Sequence, residues 1–138
     1  MNLPAQASIV VLTYNRKQEL LRTLQSLTQL EAGYPIVVVD NGSTDGTASA
    51  LSARFPGITL IRAPRNLGAA GRNLGVEAVR TPYVAFSDDD TCWEAGALAE
   101  ALRIFASAPA VGVISARVLV GSEGKLDPAC ETMARSPL

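Results

Sequence analysis

Apolar residues in this chain come in short consecutive runs, and polar residues gather directly behind them. The runs are SIVVLT (8–13), IVVVD (36–40), ITLIR (58–62), YVAFS (83–87) and VGVISARVL (111–119). They are rich in β-branched residues and apolar at successive positions rather than alternate ones, which predicts strands buried on both faces. Between them the period changes to that of a helix. KQELLRTLQSLTQL (17–30) lines up Leu20, Leu24 and Leu27 with Leu21 beside them, a stripe at helical spacing. Asn15 is placed to cap this helix and Gly33 follows its end. TDGTASALSARF (44–55) predicts a shorter helix starting near Ser43 or Thr44, and GAAGRNLGVEAVR (68–80) one from about Ala69. EAGALAEALRIFASAP (94–109) puts Leu98, Leu102 and Phe105 on one helical face and stops at Pro109.

Strand and helix alternate four times, with no internal repeat, low-complexity tract or linker. That order predicts an α/β fold, a mostly parallel sheet with helices on both faces, formed by residues 1–138 as one domain. Ligands of such sheets bind outside the carboxyl ends of the strands. The segments just behind the runs are TYNR, DNGSTDGT, RAPRNLG and SDDDT. The polar, turn-forming and charged residues therefore stand where this architecture has its crevice.

Composition narrows the chemistry. A length of 138 residues, 48% of them hydrophobic, supports a real core, and the formal charge of −1 gives no general reason to bind nucleic acid or an anionic membrane. There is no histidine, so acid–base or metal chemistry falls to carboxylates. Cys92 and Cys130 form no C-x-x-C pair and read as two reduced thiols. No stretch approaches the roughly 20 apolar residues of a membrane helix, which predicts a cytoplasmic protein, free or peripheral at the membrane.

Four strand ends carry candidate chemistry. Asp88, Asp89 and Asp90 are three adjacent carboxylates with no basic neighbour. They suit a hard divalent ion such as Mg²⁺ or Mn²⁺ shared with a phosphate. The plain alternative is a solvated loop whose Asp90 or Thr91 caps the next helix. Asp40 could accept from a nucleobase or ribose, or only hold its own Asn41-Gly42 turn. Tyr14 could stack on a base or pack inside, and Thr13 could offer the same base a hydroxyl or backbone contact. In RNLGAAGRNLG, Arg72 and Arg65 suit a diphosphate; Gly68, Gly71 and Gly75 admit either a ligand or close helix–sheet packing. No G-x-G-x-x-G follows the first strand and no G-x-x-x-x-G-K-[ST] occurs, which disfavours dinucleotide-binding and phosphate-loop domains.

TYNR, VVVDNGSTDGT, NLGAAGRNLG and YVAFSDDDT, in this order, resemble the nucleotide-binding half of family-2 glycosyltransferases of the GT-A fold. The resemblance runs from about residue 7 to 120, and VGVISARVL and GKLD are similar to the family's next strand and hairpin. It implies a Rossmann-like half-domain that binds a nucleotide-diphosphate sugar, a UDP- or dTDP-sugar by the family's commonest usage. Thr13 and Tyr14 would meet the donor base, Asp40 would hydrogen-bond it, and Arg72 would lie near base and diphosphate. Asp88 and Asp90 would be the D-x-D pair, with Asp90 the direct metal ligand, Asp88 nearer the ribose and Asp89 on the sugar or ribose side. Position 41 has Asn where the family commonly has Asp, and Ala95-Gly96 stands in place of a frequent Pro-Asp.

The implied reaction is metal-assisted, inverting transfer of the sugar to an acceptor hydroxyl. The family's carboxylate base has no matching motif here: Glu123, Asp127 and Glu131 are the late carboxylates and none fits. The chain is therefore expected to be cut before the acceptor half, and to bind donor while turning over poorly. The other readings are a binding module that lacks its own base and a nucleotidyltransferase. TYNRKQEL is not the glycine-rich basic loop that the latter needs after its first strand.

Overall fold

A computed structural model of the chain describes residues 6–29 and 33–136. Its elements run β1 (Ala7–Thr13), α1 (Lys17–Leu27), β2 (Ile36–Asp40), α2 (Thr47–Arg54), β3 (Thr59–Arg62), a 3₁₀ turn (Gly68–Ala70), α3 (Gly71–Ala78), β4 (Tyr83–Asp88), α4 (Ala97–Ser107), β5 (Leu119–Val120), β6 (Lys125–Leu126) and α5 (Pro128–Ala134). Two compact units divide it, Met1–Ile104 and Phe105–Leu138.

In the first unit four strands form one sheet in the order β3-β2-β1-β4, and every pair is parallel. Alternation of side chains across the pleat explains its two cores. Ile9, Val11 and Val38 face α1, α2 and α4 and pack with Leu20, Leu24, Leu51, Leu98 and Leu102. Val10, Val37 and Val39 face the other way and pack under α3 against Leu74 and Ala78. Here Gly75 is a packing residue: a Cβ would run into Val10, and would come within 3.1 Å of Val39. Glycine at that position lets α3 lie directly on the sheet.

Burial on both faces holds for the central strands β1 and β2. The outer strands β3 and β4 are only partly covered, because each has a single neighbour among the described strands. The register places Thr13 beside Asp40, Asp40 beside Arg62 and Leu12 beside Asp88. All four strand ends thus open on one edge.

Several boundaries differ from expectation for identifiable reasons. The helix expected over 17–30 ends at Leu27, and Leu30 lies outside the described residues. Asn15 does not cap α1. Its backbone is left-handed (φ 53°) and its Oδ1 accepts from Thr44 N, while Asp45 Oδ2 accepts from the first amide of the helix, Lys17 N, at 3.0 Å. Asp45 also accepts from Thr47 N at the start of α2, so that helix begins three residues later than Thr44. The run 111–119 does not form a fifth strand of this sheet: residues 111–118 pair with no described strand, and only Leu119–Val120 pair, antiparallel to Lys125–Leu126. An apolar run becomes a strand only where a ladder takes up its N–H and C=O groups. The expected hairpin at GKLD is there, within the second unit, followed by α5 capped by Asp127 Oδ1 on Ala129 N. No helix among the described residues is long and apolar enough to cross a membrane.

Candidate functional site

The sheet edge collects the predicted residues, and pleating decides where each carboxylate of the triplet goes. Along β4 the even positions lie on the α3 face, so Asp88 turns toward the first turn of α3, where Arg72 Nη2 donates to its Oδ1. Asp89 falls on the opposite face, under α1. It is buried: Thr13 Oγ1 donates to its Oδ2 at 2.8 Å, and Thr23 Oγ1 from α1 donates to its carbonyl at 2.9 Å. Asp90 is back in solvent, 46% exposed, with Arg16 Nη2 at 2.9 Å from its Oδ2. Arg16 Nη1 also lies 3.3 Å from Asp89 Oδ1, so one guanidinium serves two carboxylates. Burial pushes the Asp89 carboxyl above the usual aspartate range, and the Thr13 hydrogen bond and the Arg16 charge pull against that push.

The turn behind β4 is fixed from within. Thr91 Oγ1 donates to Asp88 O, Ser87 and Thr91 share a hydroxyl contact of 3.0 Å, and Trp93 Nε1 donates to Ser87 Oγ. Neither Asp90 nor Thr91 caps α4, which starts at Ala97 after a left-handed Gly96. The helix-cap reading of the triplet is therefore not what the chain does.

Asp40 behaves in two ways at once. Its Oδ1 accepts from Ser43 N and holds the Asn41-Gly42 turn, as the plain reading expected. Its Oδ2 is buried and receives no hydrogen bond from the described residues, in a residue only 1% exposed. Arg62 Nε stands 4.0 Å away, at the limit of an ion pair. Such an oxygen is costly unless something donates to it.

Asn41 is the hub of the next loop. Nδ2 donates to Asn66 Oδ1 at 2.8 Å and to Gly68 O at 3.0 Å, and Oδ1 accepts from Leu67 N at 3.0 Å. It thereby ties the end of β2 to the segment leading into Arg72. Gly71 fits against it: a Cβ there would come within 2.9 Å of Asn41 Oδ1. Packing, rather than ligand approach, accounts for Gly71 and Gly75.

Tyr14 does not pack inside. It is 44% exposed, on a loop pinned by Asn15 N to Ser43 Oγ and Thr44 N to Asn15 Oδ1. Thr13 is buried with its hydroxyl donated to Asp89 and its carbonyl accepting from Asn41 N, so it joins the strand ends to one another. Thr13, Tyr14, Asp40, Arg72, Asp88, Asp89 and Asp90 all belong to this edge. The pattern of the sequence gave Arg16 no role, Asn41 only that of a turn residue, and Asp45 none toward α1. The R of TYNR was its only trace of Arg16.

The sequence pattern of glycosyl transferase family 2 matches residues 8–137, almost the whole chain. The chain belongs to that family. Among curated relatives, an uncharacterized glycosyltransferase of Haemophilus influenzae is 34% identical over 109 residues, covering 78% of this chain and 37% of that protein. An uncharacterized glycosyltransferase of Nostoc is 30% identical over 128 residues, covering 88% of this chain and 40% of the relative. The family-2 chain thus spans about two fifths of the length of these relatives. Among solved structures, a mannosyltransferase of Pyrobaculum calidifontis in complex with GDP-Man and Mn²⁺ superposes with a TM-score of 0.67 at 28% identity, covering 73% of this chain and 32% of the other. S. aureus TarS 1-349 in complex with UDP-GlcNAc gives 0.65 at 22% identity, covering 80% and 37%, a likeness of fold. The sheet and its helices are those of the GT-A fold.

Proposed function

We propose that this chain forms the donor-binding part of a glycosyltransferase that moves a sugar from a nucleoside-diphosphate sugar to an acceptor hydroxyl. The observation that carries the reading is Asp40 Oδ2, a buried carboxylate oxygen with no hydrogen-bond donor among the described residues, at a strand end beside an exposed tyrosine. An N–H of a nucleobase supplies the missing donor, and Tyr14 offers that base an aromatic face. Donors of the UDP or dTDP class fit this, and so does GDP; the mannosyltransferase with GDP-Man bound, 28% identical, supports a nucleoside diphosphate in general.

Arg72 and Arg16 flank the place where the diphosphate then lies, and arginine forks suit phosphate oxygens. The donor set fits Mn²⁺ or Mg²⁺: Asp88 and Asp90 present exposed carboxylates, while Asp89 is turned inward and serves Thr13 and Arg16. No group of three His, Cys, Asp or Glu side chains among the described residues makes a cage of its own. Two carboxylates completed by substrate phosphates are the usual arrangement for these ions. Such an ion, when bound, offsets the charge that builds on the departing nucleoside diphosphate. Inversion follows when the acceptor hydroxyl attacks the anomeric carbon from the face opposite the diphosphate, its proton passing to a carboxylate base. Every residue assigned here serves the donor.

Calorimetric titration of UDP and GDP, with Mn²⁺ and then with EDTA, tests the reading beside Asp40→Asn. One nucleotide should bind with micromolar affinity, weaken on chelation, and lose at least about tenfold in the variant, where an amide N–H₂ faces the base donor. A folded chain that gives no heat with either nucleotide refutes the proposal.

A further inference from the structure

The three aspartates at the end of β4 meet positive charge supplied by the chain itself. Arg16 divides its guanidinium between two of them, Nη1 on Asp89 at 3.3 Å and Nη2 on Asp90 at 2.9 Å. The two contacts are unequal. Asp89 is buried and anchored independently, through Thr13 Oγ1 on its carboxylate and Thr23 Oγ1 on its carbonyl. Asp90 is half-exposed and its carboxylate is met by Arg16. If one contact is to open, it is the one to Asp90.

Arg72 stands toward Asp88 as Arg16 does toward Asp90. Two guanidiniums against three carboxylates leave one net negative charge. A divalent cation arriving with a doubly charged diphosphate diester leaves that balance unchanged. The site thus carries the same single net negative charge without a donor and with one, provided the arginines exchange carboxylate for phosphate.

We infer that Arg16 is an exchangeable counter-cation: without donor it occupies Asp90, and on donor binding it yields Asp90 to the divalent ion and donates to the diphosphate while keeping Asp89. This rests on the donor-site reading above. Its consequence is a coupling between two ligands. Metal alone must compete with Arg16 and binds weakly, whereas nucleotide gives the displaced guanidinium a new partner and so promotes metal binding. By linkage the metal promotes nucleotide binding by the same factor.

Electron paramagnetic resonance of free Mn²⁺ measures metal affinity directly, with no turnover needed, for the wild-type chain, Arg16→Gln and Arg16→Lys, each alone and with UDP or GDP. For Arg16→Gln the inference expects opposite signs. Mn²⁺ alone binds about two- to fivefold more tightly, the worth of a half-exposed ion pair removed as competitor. Nucleotide with Mn²⁺ binds about tenfold more weakly, for want of a charged donor to phosphate. Arg16→Lys falls between, since an ammonium neutralises one carboxylate but does not fork across two. Should Arg16→Gln lose its circular dichroism signature, Arg16→Lys carries the test with the same opposite signs at smaller size. If wild type binds both ligands and the variants shift both affinities in one direction, or neither, the inference fails and the donor site stands. If folded wild type takes up neither, the donor-site reading fails and the inference with it.

Discussion

Replacing Asn41 by aspartate exchanges one atom for another of nearly equal size, yet the surroundings of Asn41 make it a severe change. The wild-type amide nitrogen donates to Asn66 Oδ1 and Gly68 O, and the amide oxygen accepts from Leu67 N, in a residue 2% exposed. An ionised carboxylate keeps the Leu67 contact and loses both donations, leaving its second oxygen facing two other oxygens. Two lost hydrogen bonds cost about 1 kcal/mol each, and an unpaired buried acceptor about 1–3 more. Rotation of the Asn66 amide offers partial relief by presenting its nitrogen. The Asn66 oxygen, however, also accepts from Gly68 N at 2.8 Å, and rotation gives that bond up. The net expectation for Asn41→Asp is a loss of about 2–4 kcal/mol at pH 7. Burial among oxygens raises the pKa of the introduced carboxyl in the fold, and the protonated form can donate one bond. The deficit should therefore shrink as pH falls through that raised value. Urea unfolding followed by Trp93 fluorescence at pH 7 and pH 4.5 measures both. A variant within about 0.5 kcal/mol of wild type at pH 7 would refute the hub assigned to Asn41.

Other perturbations read different parts of the account. Asp45 caps α1 from outside that helix and accepts from Thr47 as well, so Asp45→Ala should cost about 1–2 kcal/mol in the same urea assay. The Thr47 hydroxyl holds the Asp45 carboxyl below its ordinary value of 3.8. A lowered folded value means that this stabilisation is complete above pH 3.8 and fades as pH drops through the folded pKa. The gap between wild type and Asp45→Ala should accordingly narrow only at strongly acid pH. Gly75→Ala drives a methyl into Val10 and should cost about 1–3 kcal/mol by overpacking, read as a lowered melting temperature. Tyr14→Ala removes an exposed ring and should leave the urea midpoint where it is while weakening nucleotide binding about tenfold, a stacked base being worth roughly 1–3 kcal/mol. Equal nucleotide affinity in that variant would remove the base from Tyr14.

Much of this edge was legible because parallel α/β sheets concentrate function behind their strands, and the apolar runs marked those ends directly. What stayed hidden was pairing across distance. The triplet SDDDT has no basic residue beside it in sequence, yet Arg16 arrives from 74 residues away and Arg72 from 16. Only the order of strands and the alternation of the pleat bring them there. The same alternation separates Asp89 from its two neighbours, a fact that three identical letters cannot show. Asn41 looked like a turn former because its local partners suffice for one, while its three actual bonds reach residues 66 to 68. Asp45 accepts from Thr47 N at the start of its own helix, and it also caps α1 across the crevice, from 28 residues away. The expected strand over 111–119 failed for the converse reason: apolar β-branched sequence supplies the propensity, and pairing has to come from elsewhere.

The most direct measurement is a crystal structure of the chain with Mn²⁺ and whichever of UDP or GDP binds in calorimetry. The account predicts a base N–H within hydrogen-bond distance of Asp40 Oδ2, the base ring against Tyr14, and Mn²⁺ between the diphosphate and Asp90 with the Arg16 guanidinium moved onto phosphate. A nucleotide bound away from this edge, or bound here with Asp40 Oδ2 still lacking a donor, would contradict it.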